Sequence, residues 1–369
     1  MGIFRLLLAM CVLFGHSVPF GPLHYLDGGF AVESFFVISG FYMAFVLSEK
    51  YTRARLGNSY VRKFYLSRYL RLYPAYLLGL VSFLLLDSFA ATLFHSPVDT
   101  FLAWKQMFSL PLTVNNCLLI FWATVSNLTI FLQDLGGVIA VRGHQAVFTI
   151  DRHITEVTAW ALTVTNVAWS LGVELVFYGF APYLLRRTNR QLFALTSLAL
   201  ALKIYAVVCI HNDLPYRMLP FVFVNFLAGV WAYKMRSLLI GSLGKYTALV
   251  CYCLMLAVTT ALPKGWDAWQ YSLVVIGVTA LIVPVLFDSS KKSKWDNKIG
   301  ELSYPFYLFH IMVATIVHFV VTKRAGITNM YFVSACDISL TIGCSCLVLW
   351  LEARYIEPYR QELGRPMGR

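Results

Sequence analysis

Apolar residues in this chain gather in long blocks and do not alternate with polar ones. Blocks of about twenty mostly apolar residues, enough for a helix to cross a bilayer, start near Ile3, Gly29, Pro74, Trp169, Leu192, Arg217, Lys245, Ala268, Ser303 and Tyr331. An eleventh block, Cys117 to Leu132, is shorter and carries Asn127, with Gln133 just behind it. The breaks between blocks are basic on alternate sides. Lys50 to Arg71 holds seven Lys and Arg residues, and further clusters lie at Arg186 to Arg190, Lys234 to Arg236, Lys291 to Lys298 and Arg354 to Arg369. The opposite connections, Pro19 to Gly28 and His211 to Pro215, carry almost no Lys or Arg. Basic loops stay on the cytoplasmic side of a membrane. The alternation is regular from Arg186 onward, apart from Lys323-Arg324. Between Arg71 and Arg186 it closes only with an even number of crossings, which the blocks from Pro74 and Trp169 supply.

The expected fold is therefore all-α: a polytopic bundle of about ten transmembrane helices with both termini cytoplasmic. Residues 117–133 are then re-entrant, interfacial or broken. Their polar side chains suit that role, since non-helical backbone at depth is tolerated only where protein or water covers it. No long linker, low-complexity tract or repeat divides the chain, so one membrane-embedded domain is expected over residues 1–369.

Composition supports the same picture. Hydrophobic residues make up 59% of the 369 and charged ones 13%, against about 25% charged in average chains. The net charge of +12 would suggest nucleic acid in a soluble protein. Here the cations sit between apolar blocks, where they set topology and attract anionic lipid head groups, so no nucleic-acid partner is expected. The eight cysteines lie in apolar stretches without metal-like spacing, so they read as small buried hydrophobes and no metal is expected. Gly15 to Pro19 offers no small-residue cleavage site, so the first block is expected to be a membrane helix and not a removable leader. Tyr60 to Tyr73 alternates Arg and Lys with aromatic and aliphatic residues. That pattern predicts an amphipathic surface helix entering the bilayer at Pro74.

Ionisable side chains inside such blocks are costly unless paired or hydrated, which makes each a candidate for function. Arg5 and His16 are eleven residues apart on the first block, so they share one helix face about 16 Å apart. Arg5 alone would equally serve as an anchor at the inner interface. Glu33 lies just inside the second block, at a depth matching His16. A carboxylate beside an imidazole fixes its tautomer and raises its basicity, as a general base for a hydroxyl requires. Arg68 and Arg71 stand at the cytoplasmic edge, where they suit phosphate as well as anchoring. Glu174 lies about one turn deeper than Trp169, and Tyr307 and His310, three apart, share a face. A simple interhelical hydrogen bond is the plainer reading of His310. Ser39-Gly40 lacks the second glycine of a nucleophile elbow.

Five segments, in order, resemble the acyltransferase-3 family of bacterial membrane acyltransferases. Arg5 and His16 match its R-x10-H signature; Gly29 to Phe41 is similar to its G-V-D/E-x-F-F-V-x-S-G-F stretch, with Ala31 where glycine is common and Glu33 where aspartate is common. Arg68 to Pro74, Trp169 to Tyr178 and Ser303 to His310 resemble the family's later elements. The resemblance implies transfer of an acyl group, most often acetyl, from cytoplasmic acyl-CoA to a hydroxyl of an extracytoplasmic or lipid-linked glycan, in a bacterial inner (plasma) membrane. It implies His16 as the base and Glu33 as the group orienting it. Arg5, Arg68 and Arg71 then hold CoA phosphates or polarise the thioester, and Trp169, Glu174, Tyr307 and His310 line the substrate path. Acyl-CoA is a co-substrate in this reading, and no cofactor is bound permanently. Some relatives add an extracytoplasmic esterase-like domain; this sequence ends at Arg369 without one, so a single catalytic centre is expected. The competing expectations are a transporter or flippase, which usually shows internal symmetry, and a non-catalytic subunit of a glycan assembly complex.

Overall fold

The computed structural model describes residues 1–17, 28–94, 99–150, 157–210, 212–242, 244, 246–247, 250, 252–254 and 271–365. Its main helices, in chain order, are α1 (Gly2–His16), α2 (Gly28–Glu49), α3 (Tyr60–Phe94), α4 (Asp99–Phe108), α5 (Val114–Thr129), α6 (Trp169–Leu184), α7 (Asn189–Cys209), α8 (Leu219–Lys234), α9 (Ser272–Ser290), α10 (Lys294–Val317) and α11 (Met330–Tyr355).

Six stretches among the described residues are long and apolar enough to cross a bilayer: Gly28–Glu49, Arg53–Phe89, Asn189–Cys209, Ser272–Ser290, Lys294–Arg324 and Met330–Tyr355. About ten were expected. α1 and α8 are apolar but have only 15 and 16 residues. At 1.5 Å per residue they fall short of the roughly 30 Å hydrocarbon core. Much of the span expected from Lys245 lies outside the described residues, while the block expected from Ala268 forms α9. The outward faces are what lipid demands. On α7, Phe193, Leu198, Leu202, Tyr205 and Val208 are exposed, whereas Leu192, Ala199, Lys203 and Ala206 form its buried stripe.

The chain divides into two compact units. The first comprises Met1–Ser67, Phe180–Tyr216 and Pro220–Arg369. Two close approaches set its geometry. Gly2 of α1 lies against the first turns of α10, where an added Cβ would fall 1.6 Å from the Asp296 carbonyl oxygen. The Asp296 carboxylate accepts from the Gly2 and Ile3 amides at 2.6 and 3.0 Å, which satisfies orphan donors of the α1 N-terminus. α2 meets α8 through Gly40 and Gly229, with backbone directly on backbone. α2 packs on α1 and α9 as well, and it is the most enclosed of the six long helices.

The second unit comprises Arg68–Gly179 with Arg217–Leu219. α5 is 16 residues long and exposes Val114, Leu118, Phe121, Val125 and Leu128 along one stripe. It is continuous through Thr129, and the chain turns just beyond it, where Ile130 and Leu132 both take positive φ (71° and 60°). The polar residues noted in the sequence bond nearby and distant backbone. Asn127 donates to the carbonyls of Ala123 and Leu162 and accepts from the Val164 amide. Gln133 donates to Ser126 O and to the Tyr76 hydroxyl, which in turn donates to Asn127 O at 2.6 Å. Gly172 seals the turn, because a Cβ there would meet Ile130 O at 2.6 Å.

Two features depart from expectation. The chain is nearly but not wholly helical: Ile139–Arg142, Gln145–Phe148 and Val157–Thr158 form strands β1, β2 and β3 of an antiparallel sheet ordered β2-β1-β3. Gly143 and His144 turn the first hairpin with φ of 54° and 63°, the left-handed pair that a two-residue hairpin favours. Second, no surface helix stops at Pro74. α3 runs unbroken for 35 residues with Pro74 inside it, as membrane helices allow when neighbours satisfy the freed carbonyl.

Candidate functional site

His16 is the last residue of α1 and is exposed. Its ring lies against that of His310 on α10, with centroids 5.4 Å apart and planes at 39°. His310 is fully buried, and its Nδ1 sits 2.6 Å from the Tyr307 carbonyl oxygen of the preceding turn. A carbonyl oxygen can only accept, so Nδ1 carries the proton and Nε2 presents a lone pair. That Nε2 is buried and has no hydrogen-bond partner among the described residues. The Tyr307 ring lies 5.9 Å from His310 and 6.2 Å from Phe35 of α2. The structure therefore joins His16, Tyr307 and His310, which the sequence placed about 300 residues apart. Beside them, the Ser17 hydroxyl donates to Asp337 of α11 at 2.7 Å, tying down the end of α1. At the other end of the α1 stripe, Arg5 holds its guanidinium over the Tyr42 ring at 6.0 Å.

Glu33 is fully buried, but its hydrogen bonds run elsewhere than to His16. Oε1 accepts from Lys203 Nζ and from Ser272 Oγ, each at 2.6 Å. Lys203 also donates to the Pro215 carbonyl at 2.8 Å. The neighbouring Ser34 shares a 3.1 Å hydrogen bond with Thr279 of α9. Lys203 and Ser272 were missed in the sequence, although Lys203 gave a readable signal as a lone cation deep in the apolar run Leu198 to Tyr205. Ser272 gave none, since serine is commonplace in membrane helices.

Four more sequence candidates lie in the second unit. Arg68 and Arg71 are half-buried on α3, three residues apart and so on one face. Trp169 opens α6 and is buried, edge-on to Trp160 at 6.5 Å. The Arg217 guanidinium lies 4.8 Å from the Trp160 ring and 5.2 Å from the Trp169 ring, a cation held between two indoles. Glu174, one turn deeper, accepts from the Tyr178 hydroxyl.

Long apolar helices with exposed hydrocarbon faces, a buried charge pair, and a buried imidazole beside an exposed one define a multi-pass membrane protein. The family described as "Acyltransferase domain", acyltransferase-3, matches residues 1–350, and the chain belongs to it. It is thus a transferase of acyl groups. Among curated proteins, it is 28% identical to an uncharacterised protein of Aquifex aeolicus over 206 residues, covering 54% of this chain and 90% of that one. It is 26% identical to provisionally named O-acetyltransferases of Staphylococcus aureus, from strains COL and MSSA476, over 92% of this chain. The chain spans 54% of the length of those Staphylococcus relatives. No solved structure matches it.

Proposed function

We propose that this protein is an O-acyltransferase of the bacterial inner membrane, with both termini cytoplasmic. It moves an acetyl group from cytoplasmic acetyl-CoA to a hydroxyl of an extracytoplasmic or lipid-linked glycan. The names of the Staphylococcus relatives support the acetyl group and the oxygen acceptor. The observation that carries the reading is the exposed His16 ring against the buried, tautomer-locked His310.

His16 takes the proton of the acceptor hydroxyl as its oxygen attacks the thioester carbonyl. The carbon–sulfur bond then breaks, and the proton passes to the departing thiolate, leaving the O-acyl ester and CoA. The cation formed on His16 during attack needs an acceptor beside it, since contact with a lone pair favours the charged form. His310 Nε2 fills that role, which the sequence reading gave to Glu33. Arg5, Arg68 and Arg71 bind CoA phosphates or polarise the thioester, as forked guanidinium groups suit oxyanions. Trp169 and Glu174 contact the substrates.

The test is reconstituted protein given labelled acetyl-CoA and bacterial lipid extract, with no ion gradient applied. Label in lipid-linked glycan and stoichiometric free CoA are expected; a protein that binds glycan and releases no CoA is not an acyltransferase. Arg68→Ala and Arg71→Ala are each expected to raise KM for acetyl-CoA about tenfold or more, the worth of a charge-assisted hydrogen bond. A change confined to acceptor kinetics would remove both arginines from the phosphate role.

A further inference from the structure

Glu33 and Lys203 both have fully buried side chains, 2.6 Å apart. Placing two charges at such a point carries a large desolvation penalty before their attraction returns any of it. An apolar pair of similar volume would often hold the helices as well, so stability alone is a weak reason for the pair. A second observation points past stability. Oε1 takes both available donors, Lys203 and Ser272, while Oε2 is buried with no hydrogen-bond partner among the described residues. Buried carboxylate oxygens are ordinarily satisfied. One oxygen with two donors beside one with no partner among the described residues is what a binding carboxylate needs before its ligand arrives.

We infer that Lys203 is a positioning residue: with Ser272 it fixes Glu33 through Oε1, so that Oε2 accepts a hydrogen bond from a hydroxyl of the acceptor. The inference rests on the acyltransferase reading above. The ligand must be a donor, because a carboxylate oxygen only accepts. That excludes the CoA phosphates and favours a polyhydroxyl compound such as a sugar. Lys203 touches no substrate. It holds the carboxylate aimed, and Ser272 sets its rotation.

The experiment compares full-length wild type, Glu33→Gln, Lys203→Met, the double variant Glu33→Gln/Lys203→Met, and Ser272→Ala. All are reconstituted with bacterial lipid extract, and acetyl transfer from labelled acetyl-CoA is followed beside thermal melting. Each charge variant is expected to lose about 30-fold in kcat and Ser272→Ala about tenfold, the range of one charged hydrogen bond. KM for acetyl-CoA should stay near wild type. The double variant buries no charge, so it should melt close to wild type yet remain about 30-fold impaired. A double variant restored to about the wild-type rate would show the pair to be scaffolding and overturn the inference. If the double variant does not fold, Ser272→Ala decides, and a wild-type rate there overturns it equally. Wild-type protein that transfers no acetyl group would refute the parent reading and this inference with it, an outcome distinct from active wild type with an active double variant.

Discussion

Replacing His16 with alanine is expected to abolish acyl transfer, lowering kcat by about 10²- to 10⁴-fold, the usual worth of a positioned general base. Membrane insertion and melting should be unaffected. The second half of that expectation follows from position. His16 is the terminal residue of α1 and is exposed, so truncation leaves no void in a packed core. α1 remains held by the Asp296 cap, by its close approach to α10 and by the Ser17–Asp337 bond. Labelled acetyl transfer by detergent-purified variant, beside its size-exclusion profile, measures both. Full activity in His16→Ala would refute the general-base role. His310→Phe refines the test, since it fills much the same space and removes the Nε2 lone pair, together with the Nδ1–H bond to the Tyr307 carbonyl. It should lower kcat by about tenfold or more, with KM for acetyl-CoA unchanged, if His310 stabilises the His16 cation. A wild-type kcat in His310→Phe would leave His16 acting without it.

How much of this was readable in advance depends on which interactions are local. The long spans were legible because lipid imposes a minimum run of apolar residues, and Leu192 to Cys209 or Tyr331 to Tyr355 meets it without reference to anything else in the chain. The turn after α5 was legible for a related reason. Asn127 and Gln133 would be wasted in an ordinary span; in the fold Gln133 bonds the last turn of α5 at Ser126, and Asn127 bonds the backbone of Leu162 and Val164. The one-face relation of Arg5 and His16 came from helical periodicity alone. What could not be read was which helices touch. Matching depth suggested that Glu33 faces His16, but depth says nothing of rotation about the helix axis, and Glu33 turns toward α7 and α9 instead. His310 looked like a generic interhelical donor until α1 was found packed along α10. The pattern from Tyr60 to Tyr73 suggested a surface helix before Pro74, but periodicity does not show whether a helix continues straight, and here it runs unbroken through the proline. The small sheet was hidden for the opposite reason: strands of two to four residues carry too little pattern to stand out beside twenty-residue blocks.

Gly229→Val is expected to cost about 3 kcal/mol or more, the upper end for overpacking a tight interface, and to remove most folded protein from the membrane. A Cβ at Gly229 would stand 2.0 Å from the Val37 carbonyl oxygen and 2.6 Å from the Phe41 amide nitrogen. A Cβ at Gly40 would stand 2.0 Å from the Phe226 carbonyl oxygen. Every one of these obstacles is backbone, so no side chain can swing aside, and α2 and α8 must separate by more than an ångström. Lipid tails offer no hydrophobic drive to push the helices back together, since association in a bilayer depends on close packing itself. The consequence reaches the chemistry, because α2 carries Glu33 and Phe35, and a displaced α2 pulls Oε1 away from Lys203 on α7 and leaves two charges buried apart. Gly277→Ala on α9 and Gly343→Ala on α11 supply the control: an added Cβ meets nothing within 4 Å at either position. Those changes should be neutral or slightly stabilising, since alanine costs a helix less than glycine. Detergent-resistant monodisperse yield and melting of the three variants would measure the difference. If Gly229→Val melts with Gly277→Ala, the α2–α8 contact is not the one that places Glu33.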